Sequence, residues 1–565
     1  MKSGLTSICI ISFILILLAT NEVDGRTWHV PAEIPTIKQA VEDSAAYGDT
    51  VIVAPGLYDT VSGEIFPINL SDGVILMSAS GASVTTIDAG TTNGVIRCMS
   101  CGPSTEIIGF TIAGGRAQNG AGIYCEQSQL VIRDNIITNN TAISTTGGGG
   151  GIFCANSEPT ITHNTISDNT SQNRFGGGIY NYFSYALIEH NTVANNVSQW
   201  GGGIFNDNSS PLIQYNIIKG NHSILSGGGL DCFMNSSPDI LANVIIGNSA
   251  GTNGAGIACC YSCSPLIQHN TIACNFGEYG GGVRSLGNSS PTVTSNIIVD
   301  NVDGLYLTND SDIMTANENN IYYNSYQPGD HDVVNNIYLP IDITNNFWWV
   351  TTVPSISSLI YGPANFEPFH ANPPASTPNE PSSVISVTAM TDTTYTVPLS
   401  ANLEIDDTVY IQLNGVDWHN GLYEPALVIL KTGNDPYGIA VALIETDTAS
   451  GIYQGRAIVS TTSDDARNHI GADQNDTLFI ISNIDDTKCD TVFIGSTGIH
   501  GEREISNNPA ICRTTIISGP LYLPDENRYR LYDITGRTVQ MAELRRGIYF
   551  LEIDGLIVNK VIKVN

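Results

Sequence analysis

Positive charge is scarce in this chain. Its 565 residues include 22 lysines and arginines against 54 aspartates and glutamates. Beyond residue 25, 52 acidic and 21 basic residues leave a formal charge of −31. Phosphate backbones are held by clustered cations, so nucleic acid is excluded as a partner. Long apolar runs are nearly as rare. The exception is "ICIISFILILLA", Ile8 to Ala19, with Lys2 ahead of it and polar "TNEVDG" behind. Twelve residues are too few to cross a bilayer, so residues 1–25 read as a secretory signal peptide cleaved between Ala19 and Arg26. No second run of that kind occurs, which leaves the mature chain without a transmembrane segment. Eleven cysteines remain after the signal, an odd number in a chain too long to be a disulfide scaffold. "CMSC" at Cys98 and Cys101 and "CYSC" at Cys260 and Cys263 have zinc-ribbon spacing, but they lie far apart in the chain. Local disulfides or plain core cysteines fit them better, and Cys489 with Cys512 is a candidate pair.

What the chain does have is a repeated phrase. "GGGIFNDNSSPLIQYNIIKGN", Gly201 to Asn221, returns in variants such as "GGGIFCANSEPTITHNTISDN" and "GGGVRSLGNSSPTVTSNIIVDN", seven copies in all. The last glycine of each block falls at Gly122, Gly151, Gly178, Gly203, Gly229, Gly256 and Gly282. A first asparagine falls at Asn135, Asn164, Asn191, Asn216, Asn243, Asn270 and Asn296, with a second always five residues later. A period this regular points to a solenoid. Apolar residues come in short alternating bursts rich in isoleucine, which suit strands better than helices. Neither the leucine pattern of a leucine-rich repeat nor the helical spacing of ankyrin or tetratricopeptide repeats is present.

The pattern predicts an all-β chain wound as a right-handed parallel β-helix, with three strands per coil and coils about 4.8 Å apart. Repeated positions then become columns. Ile123, Ile152, Ile179, Ile204, Leu230, Ile257 and Val283 form an inward column, and Cys125, Cys154, Asn181, Asn206, Cys232, Cys259 and Ser285 a second. The asparagine columns sit at corners, where each amide accepts from one coil and donates to the next, contributing about 0.5–1.5 kcal/mol per bond. A solenoid needs covered ends. An amphipathic helix from Thr36 to Ala46, carrying Ile37, Val41 and Ala45 and stopped by Gly48, would cap one end ahead of a first strand at Val51 to Val53. Trp348, Trp349 and Phe366 would close the other.

The opening "TWHVPAEIPTIKQAVEDSAAYGDTVIVAPGLYD" and the glycine–asparagine coils resemble the right-handed parallel β-helix proteins of the pectin-lyase-like superfamily, over about Arg26 to Phe369. That resemblance implies the fold and not one activity, since the superfamily holds polysaccharide lyases, hydrolases, epimerases and many surface proteins.

Residues 26–369 are thus the expected β-helix and 370–381 a proline-rich linker. Residues 382–515, with segments such as "DTVYIQLNG" and "PALVILKTG", read as an immunoglobulin-like β-sandwich. Residues 520–565 resemble the C-terminal sorting domain (type A) of the type IX secretion system. The likeness is carried by Tyr532, Asp533, Gly536, Arg537, Gly547, Ile548, Tyr549 and Lys560 to Val564. It implies that secretion machinery as a partner, and a secreted, extracellular or outer-membrane-surface location on a bacterium.

Catalytic residues, metals and cofactors are not specified by the sequence. The outward column Arg133, Thr162, Glu189, Gln214, Leu241, Gln268, Thr294 holds one acid, so carboxylates do not stack on neighbouring coils as a calcium site would require. Asp134, His163, His190, Tyr215, Ala242, His269 and Ser295 precede the first asparagine; stacked corner side chains account for them better than a metal site. Aromatics are the candidate ligand-binding residues. Phe175 and Trp200, with Tyr279 further on, precede the glycines, while Tyr124, Phe153, Tyr180 and Phe205 form a second outward column. Flat rings along a coil stack suit sugar faces, so polysaccharide or a cell-surface glycan is the expected partner. Two readings stay open: a secreted or cell-surface platform for carbohydrate binding and adhesion, and a polysaccharide lyase or glycoside hydrolase.

Overall fold

The computed structural model describes residues 25–308, 312–324, 331–348, most of 350–374, and the strands with adjoining turns of 383–494 and 514–563. The proposed signal segment, Trp349, most of the linker and Cys512 lie outside the described residues.

Between Thr27 and Asn365 the chain winds coil upon coil, and every strand pairs in parallel with its counterpart in the next coil. In the order a coil meets them, sheet I contains strands such as Ile123–Glu126, sheet II Val131–Arg133, sheet III Ile136–Thr138 and sheet IV Thr141–Ala142. Among the described residues these sheets hold 12, 14, 11 and 7 strands. The expected three strands per coil are therefore joined over seven coils by a fourth. It is two residues long at Arg116–Ala117 and lengthens to four or five at His222–Ser226, Ser249–Asn253 and Phe276–Tyr279.

Each corner follows the same chemistry. One residue turns into the left-handed region and a small or amide-bearing residue follows it inward. Before the first asparagines stand Asp134, His163, His190, Tyr215, Ala242, His269 and Ser295, all with positive φ. Asn139, Asp168, Asn195, Gly220, Gly247, Cys274 and Asp300 play that part before the second asparagines. The buried amides then run as two ladders. Asn164 donates its backbone N–H and its Nδ2 to Asn191 Oδ1 at 2.9 and 3.0 Å, while its Nδ2 also reaches Ile132 O at 2.8 Å. The first ladder continues past the seven copies to Asn319 and Asn346, and the second to Asn324, which donates to Asp332 Oδ1. A third ladder, of hydroxyls, follows sheet I: Ser128, Ser157, Ser184, Ser209 and Ser236 each present Oγ to the N–H of the residue one coil earlier. Ser289 and then Asp312 end it.

The interior is stacked aliphatic side chains. Ile132, Ile161, Ile188, Ile213, Ile240 and Ile267 from sheet II face Ile137, Ile166, Val193, Ile218, Ile245 and Ile272 from sheet III, all fully buried. Cys98, Cys125 and Cys154 lie in register in sheet I, as do Cys232 and Cys259; all five are buried and free. Burial of that much apolar surface drives the winding.

A strand, Thr27–Val30, precedes the cap and pairs with Thr50–Val53, so the first strand lies upstream of the expected one. The cap helix is a short π-wound turn, Gln39–Ser44, rather than an α-helix from Thr36 to Ala46. Ile37, Ala40 and Val41 are buried beneath it, and Ala45 packs against the same core. Glu64, buried, accepts the N–H of Ile37 and, at 3.2 Å, that of Lys38. These bonds hold the start of the helix across the open coil end. At the far end Trp348 is buried and Phe366 packs against the core.

A second unit spans 383–494. Its strands Ser383–Met390, Thr408–Val416, Ile452–Ser460, Ile439–Glu445, Pro425–Lys431, Asp476–Ser482 and Cys489–Ile494 pair antiparallel in that spatial order. His469–Gly471 adds in parallel to Ile452–Ser460. Ala389 N donates to Asp490 Oδ2 at 2.7 Å, joining the first strand to the last, so the sheet encloses its own core of Val409, Ile411, Val428, Val441 and Ile480. Cys489 is disulfide-bonded. At the C-terminal end Thr514–Ile517, Leu556–Lys563, Gly547–Ile553, Tyr529–Asp533 and Thr538–Val539 form a small mixed sheet.

Candidate functional site

Two columns of side chains meet where sheet IV turns back into sheet I. One is the residue before the glycine corner, in register from Gly148 through Phe175, Trp200, Ser226 and Asn253 to Tyr279. The other is the second, outward position of sheet I: Tyr124, Phe153, Tyr180, Phe205, Asp231, Ala258, Arg284 and Tyr306. The glycine between them lets the backbones nearly touch. A Cβ on Gly227, at φ 64°, would lie 2.4 Å from Asp231 Cβ. Because sheet IV lengthens in these coils, it folds over positions of sheet I that face outward.

The first half of this seam is aromatic. Phe175 stacks on Phe205 at 4.5 Å with an interplanar angle of 9°, and Trp200 lies 5.5 Å from Phe175. Tyr180 contacts Phe153, Phe175 and Phe205 between 5.1 and 5.6 Å. The Arg174 guanidinium lies 5.6 and 5.4 Å from the rings of Phe175 and Trp200. Six of the seven aromatic candidates, Tyr124, Phe153, Phe175, Tyr180, Trp200 and Phe205, are thus gathered into one cluster. Tyr180 and Phe205 are buried and form its floor; Phe175 and Trp200 are half-buried and Tyr279 is exposed. Tyr279 stands three coils along, beside Tyr306 and over Arg284.

The second half is polar, and the sequence reading missed it. Asp231 is completely buried and neither of its oxygens makes a hydrogen bond of ordinary geometry. Burial pushes its pKa up to about 7, although the nearby Ser226 hydroxyl and Cys260 thiol pull it down. Arg284, also buried, reaches Asn253 Oδ1 and, at 3.1 Å, Thr308 Oγ1, between the rings of Tyr279 and Tyr306, and burial lowers its pKa. Ala258 separates the acid from the base by one coil. The signal was available: in the column that runs Tyr, Phe, Tyr, Phe, the next residue is an aspartate.

The aromatic face continues beyond the seam. Tyr182 follows Tyr180 at 6.1 Å and Phe183 follows Tyr182 at 4.7 Å; Phe233 follows Phe205 at 5.6 Å and Tyr261 follows Phe233 at 5.2 Å. Tyr180 Oη donates to Asp207 Oδ2 at 3.3 Å, and burial raises the Asp207 pKa.

The other sequence candidates separate. His163 and His190 stack at 5.0 Å, and His190 on Tyr215 at 5.2 Å, on the exposed corner between sheets II and III. Asp134 is tied to Arg133 at 2.9 Å. Among the described residues no three His, Cys, Asp or Glu side chains gather as metal ligands. No helix among them is long and apolar enough to cross a membrane.

Parallel sheets wound coil on coil, bound at their corners by asparagine ladders, define a β-helix protein. A family model described as a right handed beta helix region matches residues 162–279. A second, described as a protein of unknown function (DUF1565), matches residues 27–204. No curated protein matches the chain.

Proposed function

We propose that this protein is exported and displayed on the cell surface, where its β-helix is a rigid binding and adhesion platform for carbohydrate. The observation that carries this reading is the aromatic cluster of Phe175, Trp200, Tyr180 and Phe205, continued outward by Tyr182, Phe183, Phe233 and Tyr261. Rings repeating at the coil spacing of about 4.8 Å on an unbending scaffold suit an extended polymer of flat-faced residues. The likeness to the pectin-lyase-like superfamily supports a glycan ligand. The sorting-domain likeness of residues 520–565 and the apolar run ending at Ala19 support export through type IX machinery. The unit between them would then serve as an immunoglobulin-like spacer. A glycan array probed with the full secreted chain tests the reading: wild type should bind, and Trp200→Ala should bind more weakly at an unchanged melting temperature. Absence of binding by wild type would remove the reading.

One observation favours a second reading, a carbohydrate-active enzyme. Asp231, with a pKa near 7, shares an outward column with Arg284. Perturbed acids of this kind concentrate at catalytic sites.

A further inference from the structure

Across the corner between sheets I and II, the residue that turns left-handed is an amide in several coils: Gln127, Asn156 and Asn208 have φ of 51°, 48° and 48°. Asparagine takes this conformation readily because its short side chain bonds locally, whereas bulky side chains are rare there. Yet in three coils the same position holds Phe183, Met234 and Tyr261, at φ 48°, 45° and 62°. These side chains do not escape into the core; they are 46%, 46% and 52% exposed. Tyr182 and Tyr185 flank Phe183 and are exposed as well. The chain therefore accepts an unfavourable backbone conformation three times to present apolar side chains to solvent. The ring contacts of Phe183 with Tyr182 and of Tyr261 with Phe233 still leave about half of each side chain in solvent, so the observation points to a ligand.

We propose that this corner, carried by Phe183, Met234 and Tyr261, is a binding ridge for a neutral polysaccharide lying along the coil axis. The proposal rests on the carbohydrate reading and names its ligand class and place. Three features select the ligand. Successive coils place ridge residues at a fixed step of about 4.8 Å, so a regular polymer meets equivalent contacts as it runs along the axis. The rings are interleaved with hydrogen-bonding groups, Asn208 and Asn235 on the turns between them and the Tyr182, Tyr185 and Tyr261 hydroxyls, which suits a surface of C–H faces edged by hydroxyls. The corner segments 99–105, 126–130, 155–159, 182–186, 207–211, 233–238, 260–265 and 286–291 contain Glu126, Glu158 and Asp207 and not one lysine or arginine. From the coil of Phe183 to that of Tyr261 the only acid of these segments is the buried Asp207, so an anionic polymer would find no counter-charge there on a strongly acidic chain, whereas a neutral one needs none. Protein contact surfaces are commonly enriched in arginine beside their aromatics, and this corner has none. The ridge is also continuous with the seam, since Tyr182 links Phe183 to Tyr180 and Phe233 links Tyr261 to Phe205.

The test uses the full secreted chain and the double variant Phe183→Asn, Tyr261→Asn. Asparagine fits the left-handed turns better than the native rings, so this variant should melt at the same temperature as wild type or higher. Affinity electrophoresis in hydroxyethylcellulose, galactomannan and polygalacturonate gels should show wild type retarded by a neutral polymer. Retardation should be insensitive to salt, and at least tenfold weaker in the variant. Equal retardation of both proteins would overturn the ridge while leaving the carbohydrate reading in place. Preferential retardation by polygalacturonate would overturn the neutral ligand, and a lowered melting temperature with lost binding would make the rings structural. If wild type binds no glycan but self-associates through these rings in sedimentation, the corner is a protein contact and the proposal fails.

Discussion

Asn191 Oδ1 receives two hydrogen bonds from Asn164, from the backbone N–H at 2.9 Å and from Nδ2 at 3.0 Å, in a site with no access to water. The same pair of bonds joins Asn191 to Asn216 one coil on.

Replacing Asn216 by leucine would strand the backbone N–H of Asn191 in an apolar interior, while Asn191 Nδ2 would keep its bonds to Ile161 O and Glu189 O. A buried unsatisfied group costs about 1–3 kcal/mol, so a loss of about 2 kcal/mol is expected. Urea denaturation should show this loss in Asn216→Leu, with a loss below about 0.5 kcal/mol for exposed Asp43→Asn as the control. Equal midpoints would refute the ladder as a source of stability.

Gly203 should not tolerate alanine. A Cβ there would lie 2.6 Å from Gly229 O and 3.0 Å from Asn221 Nδ2, both held by neighbouring coils. Gly203→Ala should lower stability by about 1–3 kcal/mol through overpacking, as a drop in melting temperature measured by calorimetry.

The repeat, its inward columns and the two asparagine ladders were legible because period and residue type coincide there. Ile123, Asn135 and Asn140 announce their roles by recurring. Coils that keep the ladder amide but not the glycine triplet, such as the one bearing Asn319, blurred because only one signal of three survived. The fourth strand was invisible: Thr170–Ser171 is too short to show alternation. The hydroxyl ladder escaped because cysteine stands in its column at Cys101 and Cys263. At the site, the rings of Phe175 and Trp200 could be read as a column, but their burial could not. Burial depends on how far sheet IV extends over sheet I, a matter of bulges at Ser198/Trp200 and Ala250/Asn253 that no residue type dictates.

Stability should fall as pH rises from about 4 to 7. Burial lifts Asp231 and Asp300 to about 7 and Asp332 to about 6, whereas aspartate in an unfolded chain titrates near 3.9. Between those values the native protein keeps protons that the unfolded chain has released, so each step upward in pH favours unfolding. Asp49 is lowered, chiefly by the Ala46 N–H, and acts in the opposite sense below about pH 4. Melting temperatures at pH 5 should exceed those at pH 8, and Asp231→Asn should narrow the gap by raising the value at pH 8. An unchanged gap would show that Asp231 does not hold its proton.

The enzyme reading makes its own demand. Incubation with acidic polysaccharides should yield no ultraviolet absorbance from unsaturated products if the platform reading holds. Turnover abolished by Asp231→Asn or Arg284→Ala would replace the platform with a lyase.

Removal of residues 529–565 should leave the protein in the periplasm, as judged by protease accessibility on intact cells. Unchanged surface display would reject the sorting assignment.

The amide ladders run one way. Each asparagine hands its N–H groups forward to the next coil, so the final member needs only to receive, and a carboxylate serves there: Asp332 ends one ladder and Asp312 ends the row of hydroxyls. Anywhere earlier an aspartate would keep its backbone N–H but have no side-chain amide hydrogen to pass on. The two ends of the solenoid are therefore chemically unlike, and a whole coil can be spliced into the middle of the stack without altering how either end is finished.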